Sequence, residues 1–163
     1  MRPAYTLLTG SAEETRRAGE LLALALAPGD VLALAGDLGA GKTCLVQGVA
    51  RGLGVSEPVT SPTFNILLVH PGSVPLYHFD LYRLEDESQL DDIGFFETVE
   101  SDGVSAIEWG DRFPAALPPD HLAVTIHLAP EGLRGFEVVP AGPRSHALAE
   151  AWHVACAAEG MAL

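Results

Sequence analysis

Residues 32–49 read LALAGDLGAGKTCLVQGV, an apolar run that changes into a glycine-rich segment and then into a helical pattern. A short, continuous apolar run of this kind is typical of a strand buried in a parallel sheet. Residues 36–43, GDLGAGKT, fit the pattern G-x-x-x-x-G-K-[ST], whose glycines let the backbone wrap around a polyphosphate. The stretch therefore predicts an α/β fold in which a strand, a phosphate-binding loop and a helix follow one another directly.

The chain has a single lysine, Lys42, which occupies the lysine position of this loop, whereas arginines provide all other basic side chains. A compact ammonium suits the narrow space beside the β- and γ-phosphates better than a planar guanidinium does. The hydroxyl of Thr43 is the ligand type that such loops offer to magnesium. We expect a nucleotide to be bound by Gly36, Asp37, Leu38, Gly39, Ala40, Gly41, Lys42, Thr43 and Cys44.

Two carboxylates and one tryptophan follow other strand-like runs. Asp80 ends the run LYHFD, and Glu108 ends the run VSAIE. Because magnesium takes few protein carboxylates and keeps several waters, both residues are candidates for binding the metal or orienting the attacking water. We expect Lys42, Asp80 and Glu108 to be catalytic, and Thr43, Asp80 and Glu108 to surround the metal. Trp109 either stacks on a base or a partner, or packs at the rim of the core.

The whole chain, residues 1–163, predicts a single P-loop ATPase domain with a mixed central sheet flanked by helices and a β-hairpin insertion. In the segment SAEE, Ser11 and Glu14 form a capping box that begins a helix. The turn residues 71–73 lie between two strand-like runs and predict the hairpin. We expect helices at 11–27, 41–54, 85–100 and 145–158, and strands at 31–36, 64–70, 74–84, 103–109, 122–129 and 134–140.

The charge balance excludes some classes of partner. Nine basic side chains face 22 acidic ones, which gives a net charge of −13 without any basic cluster. Nucleic-acid binding depends on cations that neutralise phosphates, so we expect no direct high-affinity contact with tRNA. No apolar run approaches the ~20 residues that cross a bilayer, and the first residues lack the apolar core of a signal peptide. We therefore expect a cytoplasmic protein without membrane contact.

Cysteine and histidine usage argues against other chemistries. Cys44 and Cys156 are expected to be free thiols and not a disulfide. His146 and His153 are two helical turns apart, which is too far for both to bind one small ion. The six histidines therefore predict no zinc site.

Three classes of phosphate-loop protein make different demands on the sequence. A GTPase needs an N-K-x-D segment, which a chain whose only lysine is Lys42 cannot contain, so ATP is favoured. A small-molecule kinase needs an acceptor site and usually a cationic lid, and the region after residue 109 offers only Arg112 before Arg134. A nucleotide-dependent switch fits the loop VTSPTF, because the hydroxyls of Ser61 and Thr63 could sense a γ-phosphate. The kinase and the switch with incidental hydrolysis stay open as alternatives to an ATPase.

Four segments together resemble the bacterial TsaE (YjeE) family in order and spacing. They are GDLGAGKT at 36–43, SPTF at 61–64, HFDLYRL at 78–84 and IEWGDRF at 107–113. The resemblance covers roughly residues 11–144, and the combination is far more specific than the glycine-rich loop alone.

The resemblance implies a small cytoplasmic ATPase that is needed to form N6-threonylcarbamoyladenosine at position 37 of bacterial tRNAs. Such a protein binds ATP and Mg²⁺ and hydrolyses ATP weakly on its own. It acts on the TsaB–TsaD heterodimer, in which TsaD transfers the threonylcarbamoyl group from the adenylate that TsaC supplies. An acidic chain fits this pathway, because its partners can hold the tRNA.

The resemblance also assigns roles to residues. Ser61, Thr63 and Trp109 would join the loop residues around the nucleotide, and residues 61–64 would act as a switch near the γ-phosphate. Cys44 departs from the family, which usually has a second threonine there, and places an oxidisable thiol beside the nucleotide. Three residues fall in the family's H-x-D-x-Y-R segment without a defined role: His78, Tyr82 and Arg83.

Overall fold

The computed structural model describes residues 5–37, 39–62 and 65–162, which form five α-helices and one seven-stranded sheet. The strands are β1 (Tyr5–Thr9), β2 (Val31–Ala35), β3 (Leu67–His70), β4 (Leu76–Asp80), β5 (Val104–Glu108), β6 (Leu122–Leu128) and β7 (Arg134–Pro140). The helices are α1 (Ala12–Ala23), α2 (Lys42–Gly52), α3 (Ser88–Asp92), α4 (Phe95–Val99) and α5 (Pro143–Ala157).

The sheet has the strand order β1-β7-β6-β2-β5-β4-β3. The central strand β2 runs parallel to both β5 and β6, and β4 runs parallel to β5. At one edge β3 and β4 pair antiparallel as a hairpin, and at the other edge β7 is antiparallel to β6 and to β1. The predicted α/β fold with a mixed sheet and a β-hairpin is therefore confirmed.

Helices cover both faces of the sheet. On one face α1, α2 and α5 pack against buried side chains that include Leu34, Leu76 and Val124. On the other face α3 and α4 cover Phe79 and Ile107. None of the described helices is both long enough and apolar enough to cross a membrane.

Several elements differ from the prediction. The strand β4 covers residues 76–80 of the expected 74–84, because the chain turns after Asp80. α1 ends at Ala23, before the expected residue 27, and the chain turns at residues 24–25. Pro28 would in any case disfavour helix at residue 27. The acidic segment 85–100 contains two short helices instead of one, since Gly94 lies between them with a left-handed φ of 70°. The strand β1 is not anticipated by the local pattern, because it is defined by its antiparallel pairing with the distant β7.

The two helices nearest the glycine-rich loop approach each other closely. A Cβ on Gly48 of α2 would lie 1.9 Å from the backbone carbonyl oxygen of Arg16 in α1. Real Cβ atoms do not approach an oxygen so closely, so the crossing of α1 and α2 requires glycine at this position. This contact fixes α2, whose first residue is Lys42.

Candidate functional site

The ends of three neighbouring parallel strands bring the predicted residues together. Leu34 of β2 pairs in register with Glu108 of β5, and Glu108 pairs with Asp80 of β4. The glycine-rich loop begins directly after Ala35, the last residue of β2. The loop and both carboxylates therefore lie at the carboxyl ends of the parallel strands, where open α/β sheets usually bind ligands.

The glycine-rich loop passes close to β6. Gly36 has a φ of 139°, and a Cβ there would lie 2.2 Å from the carbonyl oxygen of Ile126, so only glycine fits. At the other end of the loop, Gly41 precedes α2, and no described side chain caps this helix. The uncapped amides of a helix's first turn are groups that bind phosphates and other anions.

Lys42 folds back onto the loop. Its Nζ donates hydrogen bonds to the carbonyl oxygens of Gly36 and Asp37, at 2.5 and 3.1 Å, and lies 4.4 Å from the ring centre of Trp109. Burial lowers the pKa of the Lys42 ammonium, and nearby carboxylates, first among them that of Glu108, partly offset this effect. An anionic ligand beside Lys42 would favour its charged form, so the site is suited to an anion.

Glu108 connects the first turn of α2 with β4. The Thr43 hydroxyl lies 3.3 Å from Glu108 Oε2, and His78 Nε2 lies 2.5 Å from the same oxygen. Asp80, opposite Glu108 in register, accepts a hydrogen bond from the backbone N–H of Tyr82 at 3.0 Å. Both carboxylates are buried, and buried negative charges side by side favour a bound cation.

This set of oxygen atoms fits magnesium. Mg²⁺ prefers hard oxygen ligands, takes one or two protein carboxylates and completes its shell with phosphate oxygens and waters. The residues that would hold it are Thr43, Asp80 and Glu108. Within the described part of the chain, no group of three or more His, Cys, Asp or Glu side chains could hold a metal ion. An ion at this site would therefore need oxygens from a second ligand.

A cavity of about 390 Å³ opens at these residues. This volume is within the range of small-molecule sites in proteins. The cavity gathers residues from four separate segments of the chain, all of them among the predicted ones. The lining residues are Gly39, Gly41, Lys42, Thr43, Cys44, Ser61, Asp80, Glu108 and Trp109.

The remaining predicted residues have other positions. Gly36 and Asp37 contribute the carbonyl oxygens that hold Lys42. Ala40 is buried in the core and does not line the cavity. Three predicted residues lie outside the described ones, namely Leu38 and, in the expected switch segment, Thr63 and Phe64.

Trp109 combines packing with a place in the cavity. Its backbone is left-handed, with φ 59° and ψ 36°, a conformation that is uncommon for a bulky residue and recurs at functional sites. The Trp109 ring lies 4.9 Å from the ring of Tyr82 and packs beside the apolar cluster under α3 and α4. The two roles considered for Trp109 are therefore compatible.

Two buried histidines extend the site. His78, whose role the resemblance left undefined, lies against Glu108, and the ring of His70 is 6.3 Å from the ring of His78. A sequence signal for His78 existed, because it precedes Asp80 by two residues and such residues share one face of a strand. Nothing in the sequence marks His70, whose position follows from the register of the hairpin.

The chain is similar to known proteins over most of its length. The family model of the threonylcarbamoyl adenosine biosynthesis protein TsaE matches residues 9–134. The tRNA threonylcarbamoyladenosine biosynthesis protein TsaE of Treponema pallidum is 43% identical over 128 residues, which are 78% of this chain and 95% of that protein. The protein of that name from Bacillus subtilis is 42% identical over 143 residues, 87% of this chain and 89% of that protein.

A solved structure agrees with these sequence matches. The crystal structure of Bacillus subtilis YdiB superposes with a TM-score of 0.78 and 35% sequence identity, covering 90% of this chain and 92% of that one. The resemblance read from the four segments is thus confirmed, and the chain belongs to the TsaE family.

Proposed function

We propose that this TsaE-family chain binds ATP with Mg²⁺ and hydrolyses it, and that hydrolysis serves the formation of threonylcarbamoyladenosine in tRNA. The observation that carries the proposal is the convergence of Lys42, Thr43, Asp80 and Glu108 on one cavity. The biological setting comes from the similar proteins, which are named for the biosynthesis of this modified nucleoside.

The glycine-rich loop and the start of α2 would bind the phosphates. The amides of the first helical turn offer hydrogen-bond donors, and Lys42 offers a positive charge. To reach a phosphate, Lys42 Nζ exchanges its hydrogen bonds with the carbonyl oxygens of Gly36 and Asp37 for bonds to phosphate oxygens. The exchange is favourable because a desolvated ammonium binds an anion more strongly than it binds a neutral carbonyl.

The side chains of Thr43, Asp80 and Glu108 would hold the metal. When bound, magnesium would neutralise the charge that builds up on the β- and γ-phosphates. Asp80 and Glu108 stand on neighbouring strands in direct register, so the sheet fixes their spacing before any ligand binds. Thr43 follows Lys42 directly and lines the same cavity. A metal held by its hydroxyl would therefore lie beside the phosphates that Lys42 binds.

Glu108 is a candidate to orient the attacking water. One of its oxygens lies between the side chains of His78 and Thr43, which hold the carboxylate from two sides. A carboxylate held in one orientation can accept a hydrogen bond from water and align it for attack. Glu108 can therefore contribute to both metal binding and water positioning.

We propose the TsaB–TsaD heterodimer as the protein partner, with ATP hydrolysis slow in the isolated chain. The resemblance to the TsaE family motivates this choice, and the charge of the chain agrees with it. A net charge of −13 opposes direct tRNA binding, so contact with the tRNA would be left to the partner proteins.

Tryptophan fluorescence tests nucleotide binding. Trp109 lines the cavity, whereas Trp152 is buried elsewhere and its indole N–H donates to the carbonyl oxygen of Ala18 at 2.8 Å. We expect Mg-ATP to change the emission in a saturable way, and Lys42→Ala to weaken binding about a hundredfold or more. The Trp109→Phe variant is the control, because it should lose the signal. Unchanged affinity in Lys42→Ala would contradict the proposal.

A nucleotide-gated interaction module is a second candidate. Its support is the contact chain from Lys42 to the Trp109 ring and on to the half-exposed Tyr82. Moving Lys42 towards a phosphate would alter this exposed aromatic surface. If gating alone mattered, Glu108→Gln would bind ATP without hydrolysing it and still support repeated rounds of tRNA modification. Loss of repeated rounds in that variant would favour the ATPase.

A further inference from the structure

The α2 face of the sheet carries a line of polar side chains, formed in this order by Glu57, His70, His78 and Glu108. His70 ends β3 and His78 lies within β4, where the hairpin register pairs His70 with Leu76 and Leu68 with His78. Because side chains alternate along strands, His70 and His78 lie on the same face, diagonally across the two strands. His70 is 4% exposed and His78 is fully buried.

Each histidine has one ring nitrogen against a carboxylate. His78 Nε2 lies 2.5 Å from Glu108 Oε2, and His70 Nδ1 lies 2.6 Å from Glu57 Oε1. An ionised carboxylate only accepts hydrogen bonds, so each contacting nitrogen must carry the proton. The contacts thus assign the Nε2–H tautomer to a neutral His78 and the Nδ1–H tautomer to a neutral His70.

The second nitrogen of each ring is buried without a protein partner among the described residues. In the assigned tautomers these atoms, His78 Nδ1 and His70 Nε2, are both acceptors. The ring centres are 6.3 Å apart, and one water that donates to two acceptors bridges about 4.5 Å between them, because its two O–H bonds diverge. Such a water would satisfy both nitrogens and connect the two rings.

We propose that His78 is a positioning residue for Glu108, and that His70 and Glu57 hold His78 in the required orientation. The inference rests on the proposed function, in which Glu108 binds magnesium and orients the attacking water. His78 contacts Oε2 of Glu108, whereas Oε1 has only the Thr43 hydroxyl nearby, at 3.4 Å, and would face the metal and the water. His78 is not among the residues that line the cavity, so we expect it to act through Glu108 and not on the nucleotide.

The outer end of this line is open to solvent. The side chain of Glu57 is 46% exposed and lines a second cavity, of about 440 Å³, together with Arg16 and Arg51. The loop that carries Glu57 leads into Ser61, which lines the first cavity. The line therefore joins the loop at residues 57–61 to the carboxylate at the end of β5.

Histidine nitrogen spectra test the contact without any assay of activity. In ¹⁵N-histidine-labelled protein, we expect His78 as the Nε2–H tautomer, with an Nε2 proton that exchanges slowly with water. The His78→Gln variant assigns the signal. In Glu108→Gln this proton should shift and exchange faster, because it loses its charged acceptor. An Nδ1–H tautomer, or a His78 signal unchanged in Glu108→Gln, would overturn the proposal.

Matched variants test the positioning role. His78→Leu removes the donor, and His78→Gln keeps an N–H donor of similar reach. We expect His78→Leu to lower turnover, and to raise the Mg²⁺ concentration for half-maximal nucleotide binding, each by about tenfold or more. His78→Gln should stay within about threefold of wild type in both. Nucleotide binding in EDTA should be unchanged in both variants, since it depends on Lys42.

Two further variants keep the test decisive. His146→Leu makes the same change at an exposed position of α5 and should alter neither quantity. Glu57→Gln weakens the contact between residue 57 and His70 at the exposed end of the line. It therefore tests the proposal even if His78→Leu fails to fold. We expect it to raise the Mg²⁺ requirement about fivefold, beyond the threefold range allowed for His78→Gln. Wild-type Mg²⁺ dependence in either Glu57→Gln or a folded His78→Leu would overturn the proposal.

The two proposals can fail separately. If the wild-type chain bound no Mg-ATP, the proposed function would be wrong, while the spectra would still report whether His78 holds Glu108. If Mg-ATP bound and His78→Leu behaved like wild type, only the positioning role would be wrong.

Discussion

Lys42 is a buried charge that the glycine-rich loop satisfies with its own carbonyl oxygens. Burial lowers the pKa of its ammonium, and nearby carboxylates, first among them that of Glu108, offset this only in part. Its Nζ donates to the neutral carbonyl oxygens of Gly36 and Asp37. A phosphate would replace neutral acceptors with a full negative charge. The single lysine of the chain thus lies where its charge would bind an anion strongly, because the ammonium is desolvated and its present acceptors are neutral.

The two cysteines provide a residue-scale prediction, because one lines the cavity and the other is buried in the core. Burial raises the pKa of the Cys156 thiol to about 12, so near pH 8 it stays protonated and unreactive. We expect iodoacetamide at pH 8 to modify Cys44 alone, and Mg-ATP at about ten times its Kd to slow the reaction roughly tenfold. Mass spectrometry of the labelled peptides measures both rates.

The control for this experiment is Cys44→Ser, which should leave no reactive thiol until the protein is unfolded. Faster labelling of Cys156 than of Cys44 would contradict the described burial. A Cys44 rate that does not respond to Mg-ATP would argue against nucleotide binding in this cavity.

At the scale of elements, the crossing of α1 and α2 sets the position of the loop. Gly48 lets the backbone of α2 meet the backbone of α1. Further along α1, the indole N–H of Trp152 from α5 donates to the carbonyl oxygen of Ala18. The three helices on this face are thereby packed as one layer over β2, from which the loop emerges.

Replacing Gly48 tests this crossing. Alanine has a helix propensity about 1 kcal/mol better than glycine, but its Cβ would lie 1.9 Å from the Arg16 carbonyl oxygen. Overpacking against backbone outweighs the propensity, so we expect Gly48→Ala to lower the free energy of unfolding by about 2–3 kcal/mol in urea denaturation. In Gly10→Ala the nearest atoms are 3.6 Å away, and the change should stay within about 0.5 kcal/mol. Equal stabilities of the two variants would show that the helices can separate at little cost.

The central strands could be predicted because their residues are buried on both faces and form continuous apolar runs. VLALA at 31–35 and VSAIE at 104–108 are both read directly from the sequence. The strand β1 could not be predicted in this way, since its five residues acquire their role only by pairing with β7. The pattern predicts one acidic helix instead of α3 and α4, because a glycine inside a polar helix is a weak local signal.

The candidate site shows the same division between local and long-range information. The positions of Asp80 and Glu108 could be inferred because both end strands that become neighbours in a parallel sheet. The contacts of His70 with Glu57 and of His78 with Glu108 depend on hairpin register and loop path. Neither register nor loop path is encoded in residue spacing alone.

At the scale of the whole molecule, negative charge dominates. Residues 85–102, which include α3 and α4, contain eight acidic and no basic side chains. All eight acidic residues are exposed. Such a surface repels phosphate backbones at a distance of about one Debye length, roughly 8 Å at physiological salt. This charge supports the proposal that a partner protein holds the tRNA.

This charge predicts that the isolated chain does not bind tRNA. We expect no complex in gel-shift or anisotropy measurements at ~0.15 M salt and protein concentrations up to about 10 μM. A complex that forms below 1 μM and weakens steeply with added salt would contradict this prediction, because it would require a basic surface on the chain. A complex that forms only when TsaB and TsaD are added would serve as the positive control, because it would show that the tRNA used is able to bind protein.

The most direct test of the central claim is Mg²⁺-dependent ATP hydrolysis, measured for the chain alone and with purified TsaB and TsaD. We predict slow hydrolysis by the chain alone, strong stimulation by the pair, and a loss of about a hundredfold in Glu108→Gln with ATP still bound. Hydrolysis that is absent with and without the pair although ATP binds, or that is equally fast in Glu108→Gln, would contradict this account.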